Sequence, residues 1–137
     1  EASGAALLTG GKRPAHMNKG YFFEPTVFAD VPDDARIMRE EPFGPIAPIA
    51  TFDDLDDAIA RANSTPFGLA AYAFTGSHAR AEKLSRGLHS GMVGMNTFMI
   101  AHAEAPFGGI GHSGMGREGG RQAINDYLNV KMTHFAW

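Results

Sequence analysis

The segment PFGGIGHSGMGREGG, at residues 106–120, has the glycine density of a loop that cradles phosphate groups. It contains the dinucleotide-binding pattern G-x-G-x-x-G twice, and it lacks only the last glycine of the hydrolase pattern G-x-S-x-G. A dinucleotide loop also needs a strand before its first glycine and an acidic residue at the end of the following strand. Residues 101–107 read as loop, and the strand predicted downstream at 130–137 contains no acid. The segment is therefore predicted to be a closely packed, tightly turning loop, which Arg117 and Glu118 tie to the following helix.

A second cluster, REEPFGPIAP at residues 39–48, places a carboxylate and an aromatic ring on a stiffened turn. Pro42 and Pro45 restrict the residues that precede them, so Glu41 and Phe43 are held in a fixed relation. A carboxylate suits the vicinal hydroxyls of a sugar, and a phenyl face suits a flat heteroaromatic ring. Residue chemistry alone favours the alternative, in which Phe43 fills the core and the glutamates are solvated.

The composition excludes several classes of function. Because the chain has no cysteine, it can supply no disulfide, thiolate metal site or thiol nucleophile by itself. None of the six histidines stands three or four residues from another, so no metal site is predicted. A net charge of −3 gives no basic surplus for binding nucleic acid, and no apolar run approaches the roughly 20 residues that span a membrane.

The elements that must position these clusters follow an alternating pattern. Strand, helix, strand, helix and strand are predicted at 46–52, 53–63, 69–75, 77–86 and 91–96. This order is typical of right-handed crossovers over a parallel sheet, so one α/β unit is expected. Shorter elements are predicted as strands at 5–9, 26–29 and 130–137, and as a helix at 121–128.

Six segments, in this order, resemble one family: GYFFEPTVFADV, EEPFGP, ANSTPFGLAAYAFT, GMVGMN, APFGGIGHSGMGREGG and DYLNVK. Over essentially all of residues 1–137 the chain resembles the C-terminal part of the catalytic domain of NAD(P)-dependent aldehyde dehydrogenases. The resemblance implies an α/β fold, as a three-layer fragment with a mostly parallel sheet, crossover helices and a C-terminal edge strand. It also reverses the preference stated above for the turn at residues 39–48.

The resemblance assigns roles to individual residues. Glu41 is similar to the glutamate that binds the ribose next to the nicotinamide, and Phe43 is similar to the phenylalanine beside the nicotinamide ring. Phe107 is similar to the aromatic residue that lines the aldehyde tunnel. The resemblance then implies that the glycine segment is a loop beside the substrate channel. It also implies that the phosphates of the cofactor, NAD or NADP, are bound elsewhere.

The family's chemistry implies that this chain is one part of an enzyme. A cysteine thiolate attacks the aldehyde to give a thiohemiacetal, hydride passes to the nicotinamide, and water releases the acid. The cysteine and the cofactor domain are expected to precede Glu1, so the chain alone is expected to be inert. The parent is expected to be a cytoplasmic homodimer or homotetramer, with 129–137 as its oligomerisation strand. A free-standing α/β module for oligomerisation or partner binding is the alternative.

For the substrate, the chain is similar to succinate-semialdehyde dehydrogenase-like members. Some of those enzymes bind the substrate carboxylate with serines where this chain has Ala101 and His102. A protonated His102 would take that role, and a rim histidine without a charged partner is an equal alternative. The apolar run at residues 98–101 would equally suit an aromatic or aliphatic aldehyde.

Overall fold

The computed structural model describes residues 4–137. The chain divides into two compact units, Glu1–Ala50 and Thr51–Trp137, and each is described by itself.

The first unit is built on a two-stranded antiparallel sheet. Strand β1 (Ala6–Thr9) pairs with β2 (Val27–Ala29), which confirms the strands predicted at 5–9 and 26–29. Gly10 ends β1 with a φ of +77°, where a Cβ would overlap the carbonyl oxygen of Pro25. A single helical turn, α1 (Arg36–Arg39), precedes the cluster that contains the two glutamates.

The second unit contains the predicted β-α-β crossover. Helix α2 (Leu55–Ala62) begins at Asp54, whose carboxylate accepts a hydrogen bond from the backbone N–H of Asp57. The next elements are β3 (Phe67–Gly68), β4 (Ala70–Ala73), α3 (His78–Gly87), β5 (Met92–Met95) and β6 (Ile110–Gly111). Strands β4 and β5 pair in parallel, in register from Ala70 opposite Met92, and α3 connects them. The helix and strand assignments at 53–96 are therefore confirmed.

The prediction of a mostly parallel sheet is wrong for residues 4–137. The structure forms three two-stranded sheets, of which β4–β5 is parallel, while β1–β2 and β3–β6 are antiparallel. Residues 46–52 form no strand, because Pro45 and Pro48 offer no N–H and no neighbouring strand pairs with the segment. The layers expected around a larger sheet are therefore not built by the described part of the chain.

The C-terminal region also differs from its prediction. A 3₁₀ helix (Ala123–Tyr127) replaces the helix predicted at 121–128. Residues 130–137 form no edge strand, since no strand of the described chain pairs with them. A strand is stabilised by its neighbours, so an alternating pattern without a neighbour leaves the segment unpaired.

Few apolar side chains are buried in either unit. Met92, with 8% of its surface exposed, is the one deeply buried hydrophobic residue among residues 4–137. Large apolar residues are exposed in both units, including Tyr21, Phe43, Phe98 and Trp137. Among the described helices none is long and apolar enough to cross a bilayer.

Gly91 tests how closely the backbone of the second unit is packed. A Cβ at this position would overlap the carbonyl oxygen of Gly108 and lie 3.0 Å from the Cα of Gly109. We expect Gly91→Ala to lower the free energy of unfolding by about 1–3 kcal/mol in chemical denaturation. Gly76→Ala is the matched control, because its Cβ meets no atom within 4 Å, and it should change stability by less than about 1 kcal/mol. Equal effects of the two substitutions would contradict this packing.

Candidate functional site

The glycine segment packs its backbone directly against the strands of the second unit. The N–H of Gly91 donates to the carbonyl of Gly68 at 2.9 Å, and the N–H of Gly68 donates to Oγ of Ser113 at 3.0 Å. Gly109 is buried, and a Cβ on it would lie 2.7 Å from the carbonyl oxygen of Ser113. These approaches exclude side chains, so the glycine density is explained by close packing, as predicted from the sequence.

Phe107 is fixed by its own backbone rather than by a surrounding core. Its N–H donates to the carbonyl of Glu118 and its carbonyl accepts the N–H of Glu118, both at 2.7 Å. The side chain is half-buried and lines an open cleft of about 620 Å³. The same cleft is lined by Leu69, Ser113, Met115, Arg117 and Tyr127. The structure thus gives the predicted tunnel residue a defined position on a cleft wall.

The side chain of Arg117 joins two points within the glycine segment. Its Nη1 donates to the carbonyls of Gly109 and Gly116 at 2.7 and 2.8 Å. Its backbone N–H donates to Oδ2 of Asp126 in the 3₁₀ helix at 2.9 Å. The predicted tie between loop and helix is confirmed for Arg117. It is wrong for Glu118, whose backbone bonds to Phe107 instead.

Ala101 and His102 lie exposed on the connection between β5 and β6, which also carries Phe107. Nε2 of His102 lies 3.2 Å from the carbonyl oxygen of Met99, so with a proton on that nitrogen it donates to the backbone. Nδ1 is then the ring nitrogen left for a ligand. The far end of this connection is fixed by the N–H of Gly120, which donates to the carbonyl of Ala103 at 2.8 Å.

In the first unit the two adjacent glutamates have different surroundings. Oε2 of Glu40 accepts a hydrogen bond from Nε of Arg36 at 2.7 Å, within one turn of α1. This hydrogen bond, followed by the charge of Glu40, raises the pKa of Arg36 above its usual value. Glu41 is exposed and has no hydrogen-bond or ion-pair partner among residues 4–137. Of these two glutamates, Glu41 is therefore the one that presents a free carboxylate.

Phe43 is 96% exposed, so the interpretation that it fills the core is wrong for the described chain. The turn around it is tight, because the N–H of Ile46 donates to the carbonyl of Gly44 at 2.8 Å. A free carboxylate and an exposed phenyl ring thus stand two residues apart on this turn. A ring held in water by a restrained backbone gains stability when another flat surface covers it.

Sequence patterns did not single out two polar residues of the second unit. Asp126 binds the glycine segment, and Asn96 binds Thr75 with both atoms of its side-chain amide. An asparagine directly after an apolar strand was the available signal for Asn96, because asparagine tolerates a left-handed backbone. Within residues 4–137 no three potential metal ligands cluster.

Comparison with known proteins gives one consistent family. The model of the aldehyde dehydrogenase family matches residues 1–133. The NADP(+)-dependent succinate-semialdehyde dehydrogenase of Escherichia coli is 48% identical to this chain. The match covers 93% of this chain and 26% of the length of that enzyme. The glutarate-semialdehyde dehydrogenase of Pseudomonas putida is 46% identical, in a match that covers 95% of this chain and 26% of the length of that enzyme.

Solved structures agree with the sequence comparison. An NADP-dependent enzyme of Escherichia coli superposes with a TM-score of 0.79 at 47% identity, over 95% of this chain and 27% of that chain. A complex of a Bacillus cereus aldehyde dehydrogenase with NAD+ superposes with a TM-score of 0.79 at 42% identity. The superposition covers 95% of this chain and 26% of that chain. These neighbours support the predicted α/β class. The chain spans about a quarter of the length of the relatives it matches.

Asp126 provides a test of how the cleft is held. We expect Asp126→Ala to remove the acceptor of the Arg117 N–H at a cost of about 1 kcal/mol, since the bond is exposed. Hydrogen exchange at the Arg117 amide should then be roughly fivefold faster. Asn125→Ala is the matched control, because it changes the neighbouring side chain of the same 3₁₀ helix and leaves this acceptor in place. Unchanged exchange in Asp126→Ala would show that the carboxylate does not hold the loop.

Proposed function

We propose, since this chain belongs to the aldehyde dehydrogenase family, that it forms the C-terminal portion of the catalytic domain of an enzyme that oxidises an aldehyde to a carboxylic acid. The coverage of a quarter of each relative and the lack of cysteine support this proposal. The nucleophilic cysteine and the cofactor domain belong to the remaining chain, and residues 1–137 alone are inert. Family membership favours this over a free-standing module for oligomerisation or partner binding.

The cofactor of the proposed enzyme is NAD or NADP, and Glu41 and Phe43 are its binding residues in this chain. The two groups fit a nicotinamide riboside in their chemistry. A free carboxylate accepts charge-assisted hydrogen bonds from two hydroxyls, and an exposed phenyl ring covers a flat heterocycle. Glu40 does not compete for this role, because Arg36 already occupies its carboxylate. The dinucleotide supplies the acceptor for hydride when it is bound.

The aldehyde contacts Phe107, Ala101 and His102, and the proposed substrate is succinate semialdehyde. Phe107 covers the chain of the aldehyde beside the cleft, and a protonated His102 donates its Nδ1–H to a terminal carboxylate. Two relatives at 46–48% identity are named for succinate and glutarate semialdehydes, which both carry a carboxylate. The cysteine thiolate of the remaining chain attacks the aldehyde carbon and forms a thiohemiacetal.

The proposed parent assembles as a cytoplasmic homodimer or homotetramer through residues 129–137. Val130, Met132, Phe135 and Trp137 in this segment are exposed. The rings of Phe135 and Trp137 are stacked, with centroids 5.9 Å apart. An unpaired apolar segment of this kind gains both hydrogen bonds and burial when it adds to the sheet of a second copy.

The cofactor proposal depends on the free carboxylate of Glu41, and a substitution at Glu41 tests it. In the full-length protein that contains this chain, we expect Glu41→Gln to lower turnover about tenfold, because a poorly held nicotinamide loses the geometry of hydride transfer. Glu40→Gln is the matched control and should leave turnover and the KM for the dinucleotide unchanged, since Glu40 pairs with Arg36. Steady-state kinetics with varied NAD+ and NADP+ measure both variants. Wild-type kinetics in Glu41→Gln would refute the cofactor assignment.

The proposed carboxylate contact of His102 is tested by comparing an aldehyde that carries a carboxylate with one that does not. We expect His102→Ala in the full-length protein to raise the KM for succinate semialdehyde about 5-fold, because an exposed ion pair contributes up to about 1 kcal/mol. The KM for benzaldehyde, which has no carboxylate, should not change. His89→Ala replaces another exposed histidine of the second unit and should alter neither constant. An equal rise for both aldehydes would exclude a carboxylate contact at His102.

A further inference from the structure

Asn96 extends the parallel pairing of β4 and β5 by means of its side chain. Its Oδ1 accepts the N–H of Thr75 at 2.8 Å, and its Nδ2 donates to the carbonyl of Thr75 at 2.9 Å. Its own N–H donates to the carbonyl of Ala73 at 2.8 Å. The amide thus satisfies both backbone groups of Thr75, as the next residue of a strand would do.

The backbone of Asn96 turns away from the sheet at the same point. Its φ is +56°, in the left-handed region that asparagine adopts more readily than most residues. The chain that follows returns over the strands, because a Cβ on Gly94 would lie 2.6 Å from the carbonyl oxygen of Thr97 and 2.9 Å from Cγ2 of Ile100. Asn96 therefore sets the point and direction from which residues 97–102 begin.

The other end of this segment is fixed independently. The N–H of Gly120 donates to the carbonyl of Ala103, and the reciprocal backbone bonds with Glu118 hold Phe107. With the far end fixed in this way, the two hydrogen bonds of the Asn96 amide (the Asn96 clamp) fix where the segment starts, and the ring of Phe98 then packs against Tyr72 and Phe74. Loss of the clamp would shift Ala101 and His102 relative to Phe107, while the sheet itself would keep its four paired residues.

We propose that Asn96 is a positioning residue that selects aldehydes by length, through the placement of residues 97–102. This inference rests on the proposed function, which assigns Ala101 and His102 to the substrate. Asn96 touches no substrate in this proposal. Its effect should appear only with aldehydes long enough to reach the segment that it places, and a short aldehyde should be oxidised as before.

The test compares two asparagines that make the same kind of clamp. Asn63 also uses both amide atoms, since Nδ2 donates to the carbonyl of Gly87 at 2.7 Å and Oδ1 accepts the N–H of His89 at 2.8 Å. It joins the ends of α2 and α3 rather than the substrate segment. Asn96→Asp and Asn63→Asp each keep the acceptor and replace the donor by a carboxylate oxygen facing a carbonyl, so each clamp loses one bond.

In the full-length protein, we expect Asn96→Asp to lower kcat/KM about tenfold for succinate semialdehyde and hexanal, and less than about twofold for acetaldehyde. Asn63→Asp should leave the ratio of these values unchanged. If Asn96→Asp does not fold, Asn96→Gly retains the left-handed backbone without the clamp and is measured in its place. An unchanged ratio in an active Asn96 variant, or the same change in the Asn63 variant, would overturn the inference.

Hydrogen exchange separates this inference from the proposed function. The amide of Met99, which donates to Oγ1 of Thr97 at 3.0 Å, should exchange faster in Asn96→Asp than in wild type, and not in Asn63→Asp, whatever reaction the protein catalyses. If the wild-type protein oxidises none of the three aldehydes, the proposed function fails while the placement of the segment is still measured. Unchanged exchange at the Met99 amide would show that Asn96 does not restrain this segment.

Discussion

Close approach of two backbones is the constraint on which the second unit depends. Gly91, directly before β5, touches the backbone of Gly108, and its N–H donates to the carbonyl of Gly68 before β4. The contact between Gly91 and Gly108 leaves no room for a side chain at Gly91, so the approach of residues 106–120 to this point depends on the absence of a Cβ atom there. Phe107 directly precedes Gly108 and is itself held by its two backbone hydrogen bonds to Glu118. Glycines that resemble a phosphate loop in sequence therefore perform a packing task.

Apolar exposure explains why backbone contacts matter so much in this chain. Hydrophobic residues make up 44% of the sequence, yet Met92 is the one deeply buried hydrophobic residue of the described part. Covering a large apolar side chain stabilises a fold by about 1.5–3 kcal/mol, and this chain leaves that stabilisation unrealised at many positions. Faces of this kind support the proposal that further polypeptide packs on both units.

The sequence predicted those elements that local signals determine and failed where a partner strand was needed. Helices α2 and α3 are correct because Asp54 and Ser77 cap their first turns and their apolar residues share one face. The strands at 46–52 and 130–137 are wrong because alternation shows that a segment can pair and not that a partner exists. For the site, residue chemistry alone favoured a buried Phe43, and the family pattern pointed the other way, in agreement with its exposure. Asn96 and Asp126 act through geometry that only the fold brings together.

The hydrogen bonds that hold the proposed substrate segment are made largely by backbone atoms. Phe107 is fixed by two bonds to the backbone of Glu118, Ala103 by one to Gly120, and the loop start by an asparagine bound to a backbone. The side chains of Phe98 and Ile100 also pack on the strands, Phe98 against Tyr72 and Phe74, whereas Met99 and Ala101 are exposed and can change without moving the segment. In the proposed enzyme, a scaffold of this kind would let exposed residues of the segment change while its backbone keeps its place. In the proposed enzyme, substrate preference would then depend on the exposed residues of this segment.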